Sequence, residues 1–284
     1  MREEAANPEA SSPHQIQSKV GLFWWRQKPN FGDDLSQHVV ELISGKPVMW
    51  QDPKNAELFA IGSLADRILR THDQPREGKR PLLWGTGMLG PVDVRLTEIV
   101  DIRALRGPLS ATILGVRNLP LGDPGLFASD LNLPRPECDG KIGVILHITQ
   151  GMDRRVLRQL RRSGRFRFID AARSAPEVIA DIARCRHVYS SSLHGLIVSD
   201  SFGIPNTWLS GPNIHRTPEF KFFDYGLSIS RPFCKPLDAV SILDHSSSLP
   251  TKAIAELPYA LGIENSKAAL KSAFPMELHE IGSF

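Results

Sequence analysis

Twice along this chain, short apolar runs alternate with amphipathic helical stretches, and the runs end in corners rich in glycine, serine or aspartate. That alternation constrains the fold more than any other feature. Strands joined by helical crossovers lie parallel, so their strand-to-helix corners gather at one edge of the sheet, where α/β proteins bind ligands. The first series has apolar runs at 20–25 (VGLFWW), 58–61, 82–84, 99–105 and 119–121. Helical patterns at 35–44, 64–69 and 109–114 lie between them, two of them stopped by Gly45 and Gly115 and one opened by Pro108. The second series has runs at 142–148, 166–169, 188–189 and 206–209, with helical patterns at 153–162, 176–185 and 193–201. The pattern predicts an α/β protein of two Rossmann-like parallel-sheet domains, 19–130 and 138–248, facing a cleft. An irregular, proline-bearing stretch at 128–140 reads as the linker. Residues 1–18 are polar and aperiodic and are expected to be disordered. Residues 250–284 have a helical pattern broken by Pro258 and are expected to pack back across both halves.

Composition narrows the function classes. At 284 residues, 41% hydrophobic and 23% charged, the chain can bury two cores and is ordinary for a soluble protein. A net charge of +3 is too mild to argue for nucleic acid. Three cysteines without Cys-x-x-Cys spacing predict neither a disulfide framework nor a zinc site, and a reducing cytoplasm fits. No apolar run approaches the ~20 residues that span a bilayer. No Walker A loop or Gly-x-Gly-x-x-Gly follows a strand, so ordinary ATP or dinucleotide binding is not indicated. The pattern at 153–162 puts Arg154, Arg155, Arg158, Arg161 and Arg162 on one side, opposite Val156, Leu157 and Leu160. A solvated face explains this better than attraction to an anionic membrane, since no Trp or Phe wedge accompanies it.

The corner at 190–194 carries the sharpest chemical signal. Ser191 and Ser192 precede an apolar helical run, where free first-turn amides and the helix dipole favour an anion. His194 lies in the first turn, within reach of that anion. Four corners of the first half, at 30–34, 62–63, 85–87 and 106–107, should converge at their own sheet edge. Gly62, Ser63, Gly85 and Thr86 read equally as turn chemistry. Asn30, Asp33 and Arg106 are not explained that way and are the functional candidates. Asp33 could equally cap its helix.

With these residues in view, the chain resembles the polysaccharide pyruvyl transferase family, in particular bacterial exopolysaccharide ketalases. The resemblance rests on Asn30-Phe31-Gly32-Asp33-Asp34-Leu35, Gly62-Ser63, Trp84-Gly85-Thr86-Gly87, Arg106-Gly107-Pro108-Leu109-Ser110, Leu121-Gly122-Asp123-Pro124, Ser191-Ser192-Leu193-His194-Gly195 and Lys221-Phe222-Phe223-Asp224-Tyr225. It implies a fold similar to two-domain glycosyltransferases of the GT-B kind. It also implies transfer of pyruvate from phosphoenolpyruvate, a co-substrate rather than a cofactor, to two hydroxyls of one sugar. Arg106, Ser191, Ser192, Leu193 and Lys221 would then bind the donor, although Lys221 on a solvated helix is slightly favoured. His194 would be the general acid, and Asp33 or Asp34 would accept the sugar proton or position the sugar. Asn30, Asp34, Gly62, Ser63, Gly85 and Thr86 would line the acceptor side. The partners implied are phosphoenolpyruvate and a sugar acceptor, free or lipid-linked, with no metal. The enzyme would work in the cytoplasm or at the inner face of the membrane, where peripheral contact is open. Two rivals remain: a nucleotide-sugar glycosyltransferase, and a sugar or phosphate binder without catalysis. Asp200, the acidic residue nearest the anion corner, sits about two turns into its helix, too deep to hold a ribose there.

Overall fold

A computed structural model describes residues 19–211, 217–233, 235–249 and 256–279. The expected disorder of 1–18 and part of the C-terminal helical pattern lie outside the described residues. In the first half the elements run β1 (Val20–Phe23), α1 (Phe31–Ser44), β2 (Val48–Trp50), β3 (Leu58–Phe59), α2 (Ala65–Thr71), β4 (Leu82–Thr86), α3 (Leu96–Ile99), β5 (Asp101–Leu105) and α4 (Pro108–Leu114). A 3-10 helix, Pro124–Asp130, leads into the second half. There follow β6 (Ile142–Ile145), α5 (Arg154–Arg162), β7 (Phe166–Ile169), α6 (Ala175–Ala183), β8 (His187–Ser190), α7 (Leu193–Ser201), β9 (Asn206–Trp208), α8 (Phe220–Ser228), α9 (Ile242–Ser247) and α10 (Ala260–Ala273). The strands form two parallel sheets, ordered β2-β1-β3-β4-β5 and β7-β6-β8-β9. Helices flank both, giving two Rossmann-like units.

Local chemistry explains most boundaries. Asn30 caps α1 by accepting the Gly32 amide at 3.2 Å, and Gly45, left-handed at φ 71°, stops the helix. Ser174 and Glu177 form a capping box at the start of α6. On α5 the five arginines are exposed and Leu160 is buried, as the pattern reads. Among the described residues no helix is long and apolar enough to cross a membrane.

The structure departs from the expected elements in several places: α3 and α9 match no expected element, and Ile99, expected to open a strand, ends α3. β2 is an unexpected edge strand, three half-exposed residues too short to carry a periodic signal. Residues 119–121 make a single bridge, Leu105 to Leu121, because Pro120 has no N–H for a ladder and Gly122 turns the chain at φ 157°. The 85–87 corner opens no helix, since Gly85 and Thr86 lie inside β4 and the chain then passes Gly90-Pro91 before the short α3. The expected linker begins later than 128, because Leu126, Phe127 and Ala128 are buried in the 3-10 helix.

The halves are not separate bodies bridged by a tether. One apolar cluster joins Leu22, Leu35 and Val39 of the first half to Ile145, Val188 and Val198 of the second. Helix α7 is buried along most of its length and packs on the 3-10 helix. Helix α10 does run across both halves. Its Ile263 joins the cluster around Trp208 and Tyr225, while Leu270 joins the cluster of Trp84, whose indole donates to the Leu270 carbonyl at 2.9 Å.

Candidate active site

A cavity of 390 Å³ opens where the C-terminal edges of the two sheets meet. A larger groove of 660 Å³ lies elsewhere, around Arg103 and Glu277, where Lys79 and Arg103 pair with Asp101 and Glu277 and, among the described residues, no histidine or cysteine lines the wall. No chemistry converges there. The smaller cavity takes Asn30, Asp33, Ser63 and Arg106 from the first half, and Ser192, His194 and Lys221 from the second.

Arg106 follows β5 and is almost fully buried. One terminal nitrogen donates to Ser63 Oγ at 2.9 Å and the other to the Met88 carbonyl at 2.7 Å. Its Nε lies 3.4 Å from Asp224 Oδ2 without a formed hydrogen bond. Gly87 is required beside it: a Cβ there would fall 2.2 Å from the guanidinium carbon. Asp224, on α8, also accepts the Ser110 amide at 3.0 Å and the Ser110 hydroxyl at 2.6 Å. It thereby supplies the start of α4 with the cap that Gly107 lacks. The Arg106–Ser110 and Lys221–Asp224 motifs, 114 residues apart at Ser110 and Asp224, are thus one structural unit. Three residues before Asp224, Lys221 shares its helix face and reaches the cavity wall. The slightly favoured solvated position for Lys221 is corrected: packing of α8 against α4 turns that face inward. Burial first, then the neighbouring Arg106 charge, push the Lys221 amine down to about 8.

Asp33 and His194 are displaced in opposite directions. Burial pushes the Asp33 carboxyl up to about 7, partly offset by a 2.8 Å hydrogen bond from Asn30 Nδ2 and by Lys221. Burial, with Lys221 and Arg106 nearby, pushes the His194 imidazole down to about 3. Near neutral pH the cavity therefore favours a carboxyl that retains its proton well above the ordinary range and a neutral imidazole. The imidazole lies against the first turn of α1, so closely that a Cβ on Gly32 would fall 2.0 Å from Nδ1.

The other expected residues sit away from this centre. Asp34 turns toward the second half, where it accepts the Ala175 amide at 2.8 Å at the start of α6. His38, then that amide and Gln37, hold its carboxyl below the ordinary range. Gly85 packs on Pro124, and Thr86 donates to the Ala60 carbonyl. Ser191 accepts the His147 amide at 2.9 Å and donates to Gln150, which fixes the loop after β6. Gly62 and Leu193 line the cavity with Ser192. Asp200 is committed to Arg231, Tyr225, Tyr259 and Asn206, so no ribose could use it.

Sequence reasoning missed the cavity mouth, formed by Trp25, Arg67, Arg70 and the 147–149 segment. Trp25 ends the first apolar run and His147 lies just past the C-terminal end of β6, so the sheet-edge rule could have found both. Arg67 stacks 4.5 Å from the Trp25 ring centre. Nothing in the local sequence announces that pair.

A family model described as polysaccharide pyruvyl transferase matches residues 30–212. The chain is similar to the succinoglycan biosynthesis protein ExoV of Rhizobium meliloti (strain 1021), with 26% identity over 215 residues, 73% of this chain and 64% of that protein. It thus aligns with less than two thirds of that relative's length. It is also similar to the uncharacterized protein L143 of Acanthamoeba polyphaga mimivirus, with 32% identity over 223 residues, 73% of each chain.

Proposed function

The chain belongs to the polysaccharide pyruvyl transferase family, and from that premise we propose that it moves pyruvate from phosphoenolpyruvate onto two hydroxyls of one sugar, as a cyclic ketal, in exopolysaccharide synthesis. One observation carries the reading: Arg106 and Lys221 converge with a proton-bearing Asp33 and a neutral His194 on one cavity between the halves. The donor carries a phosphate and a carboxylate. A guanidinium held by Ser63 and Met88 offers a planar fork, and Lys221 adds a point charge. Ser192, Leu193 and His194 at the start of α7 line the same cavity, at the end of a helix that favours an anion.

The displaced proton affinities set the roles. Two groups pushed apart in this way divide acid and base work. Asp33 gives its proton to the methylene carbon of the donor, and the adjacent carbon becomes an oxocarbenium. One sugar hydroxyl adds to that carbon while His194 takes its proton. The imidazolium then protonates the departing phosphate, which restores the oxocarbenium. The second hydroxyl adds, and its proton returns to Asp33. This exchanges the roles expected from ordinary pKa values, in which histidine is the acid. The mouth at Trp25 and Arg67 supports an acceptor position, since an aromatic ring beside a cation suits the apolar face and hydroxyls of a sugar.

The test is incubation with phosphoenolpyruvate and a panel of free and lipid-linked glycosides, following phosphate release and the ketal methyl signal. Both products should form together, and only with an acceptor. Phosphoenolpyruvate at a hundredfold excess over its Kd should also stabilise the protein by about 2.7 kcal/mol. Stabilisation by UDP or GDP sugars, with none by phosphoenolpyruvate, would overturn the reading in favour of glycosyl transfer.

A further inference from the structure

One pair of groups at the edge of the cavity is left unexplained by donor and acceptor binding. Asp123 is fully buried in the corner before the 3-10 helix. Its Oδ1 accepts the Gly125 amide at 2.9 Å, which caps that helix. Its Oδ2 is buried with no hydrogen-bond partner. The buried Nε2 of His194, equally without one, lies 4.0 Å away. A buried acceptor and a buried potential donor, each otherwise orphaned, face each other across the junction of the two halves. Leaving either unpaired forfeits the desolvation of a buried polar group with nothing in return, so such groups are rare in folded proteins.

We infer that Asp123 is the positioning residue of His194: it holds the imidazole as the Nε2–H tautomer and stabilises the imidazolium that forms during turnover. The two atoms come from different halves, one from the 3-10 corner and one from the first turn of α7. A closure of about 1 Å brings them to hydrogen-bond distance. With Nε2–H directed at Asp123, Nδ1 on the Gly32 side becomes the acceptor for a substrate proton. The remaining charged groups do not substitute for Asp123. Lys221 and Arg106 both oppose a positive imidazole. Asp33, the neighbour of Gly32, is shared with Lys221 and Asn30. Asp224 is committed to Ser110 and Arg106. Burial pushes Asp123 itself only to about 6, with Arg106 opposing the rise, so it is mostly ionised at pH 7.5. An aspartate that orients a histidine without touching the substrate is the logic of hydrolase triads, reached here between two sheet edges. Its kinetic consequence rests on the pyruvyl-transfer reading; its structural consequence does not.

The decisive variant is Asp123→Asn, which keeps the shape and the carbonyl that caps the 3-10 helix. Its amide NH₂ then faces Nε2 and can only donate, so the ring must switch to the Nδ1–H tautomer. Nitrogen-15 NMR of histidine-labelled protein at pH 7.5, with His194 assigned through His194→Gln, reads this without substrate. The wild type should show Nε2–H and the variant Nδ1–H, with an unchanged circular dichroism spectrum confirming the fold. In turnover, kcat should fall about 10²–10³-fold while the KM for phosphoenolpyruvate stays within about twofold, as for a lost transition-state interaction. The same tautomer in both proteins, or an unchanged kcat in an active preparation, overturns the inference and leaves pyruvyl transfer standing. A tautomer switch in a protein that never turns over phosphoenolpyruvate would instead uphold the pair and remove the proposed function.

Discussion

Two buried arginine–aspartate pairs sit in the second half and its junction with the first, and they differ in completeness. Around Asp200 both carboxylate oxygens are bonded, and among the described residues of its shell only Asn206 Oδ1 stands without a partner. Arg231 Nη1 reaches both carboxylate oxygens at 2.8 and 2.7 Å, and Tyr225, Tyr259 and Asn206 complete the shell at 2.8, 2.9 and 2.7 Å. Around Arg106 the guanidinium is tethered at Ser63 and Met88, its Nε has no formed hydrogen bond, and the residue opens on the cavity. A closed network specifies packing. A network with donors to spare, at the meeting edge of two sheets, is prepared for an anion that is not part of the chain.

That contrast can be broken by mutation, and the largest effect should come from the closed pair. Arg231→Met leaves the Asp200 carboxylate buried among two tyrosines and Asn206. Unfolding free energy should fall by about 3–5 kcal/mol in denaturant titrations, while the fraction that remains folded keeps its donor affinity. A selective loss of donor binding there would mean that the two networks are not separate. The next effect belongs to Arg106→Lys, which keeps a charge for Asp224 but loses the fork. Donor binding by calorimetry should weaken by about 2–4 kcal/mol with little change in melting temperature. Full rescue by lysine would reduce Arg106 to a point charge.

The smallest effect sharpens the same contrast from the carboxylate side. Asp33 is raised from its ordinary 3.8 to about 7 by burial. The folded state therefore binds its proton more tightly than the unfolded one. Below about pH 4 both states are protonated and there is no penalty. Between there and about pH 7 the unfolded state loses its proton first, so this group destabilises the fold increasingly, and fully above that range. Asp33→Asn should accordingly raise the melting temperature by a few degrees at pH 8 and by almost nothing at pH 4, while abolishing phosphate release. Equal shifts at both pH values would place Asp33 in solvent-like surroundings and remove it as the acid.

Asp33 and Asp34 show how far the sequence could be read. They are identical neighbours after one cap, and nothing local separates them. A step of about 100° around the helix aims one at the cavity and the other at the start of α6. Burial then raises the first, while His38 and the Ala175 amide lower the second. The Gly85–Gly87 corner is the converse case. Its glycines resemble those of a ligand loop, yet Gly85 serves the approach of Pro124 and Gly87 that of Arg106. A glycine records that a backbone is approached, not by what.

The alternation of apolar runs, the helix stops at Gly45 and Gly115, and the corners bearing Arg106 and His194 determined by themselves the two parallel sheets and the edge at which chemistry would gather. Those features follow from hydrogen bonds and side-chain periodicity within a few residues of each other. Only the tertiary structure decided that Lys221 faces inward, that Asp224 caps a helix from the other half, and that the orphaned oxygen of Asp123 meets the orphaned nitrogen of His194. It decided, too, which carboxyl keeps a proton near neutrality. Each of these depends on how much water is excluded and which charges are brought together by residues distant in the chain, and desolvation is not written in any local stretch of sequence.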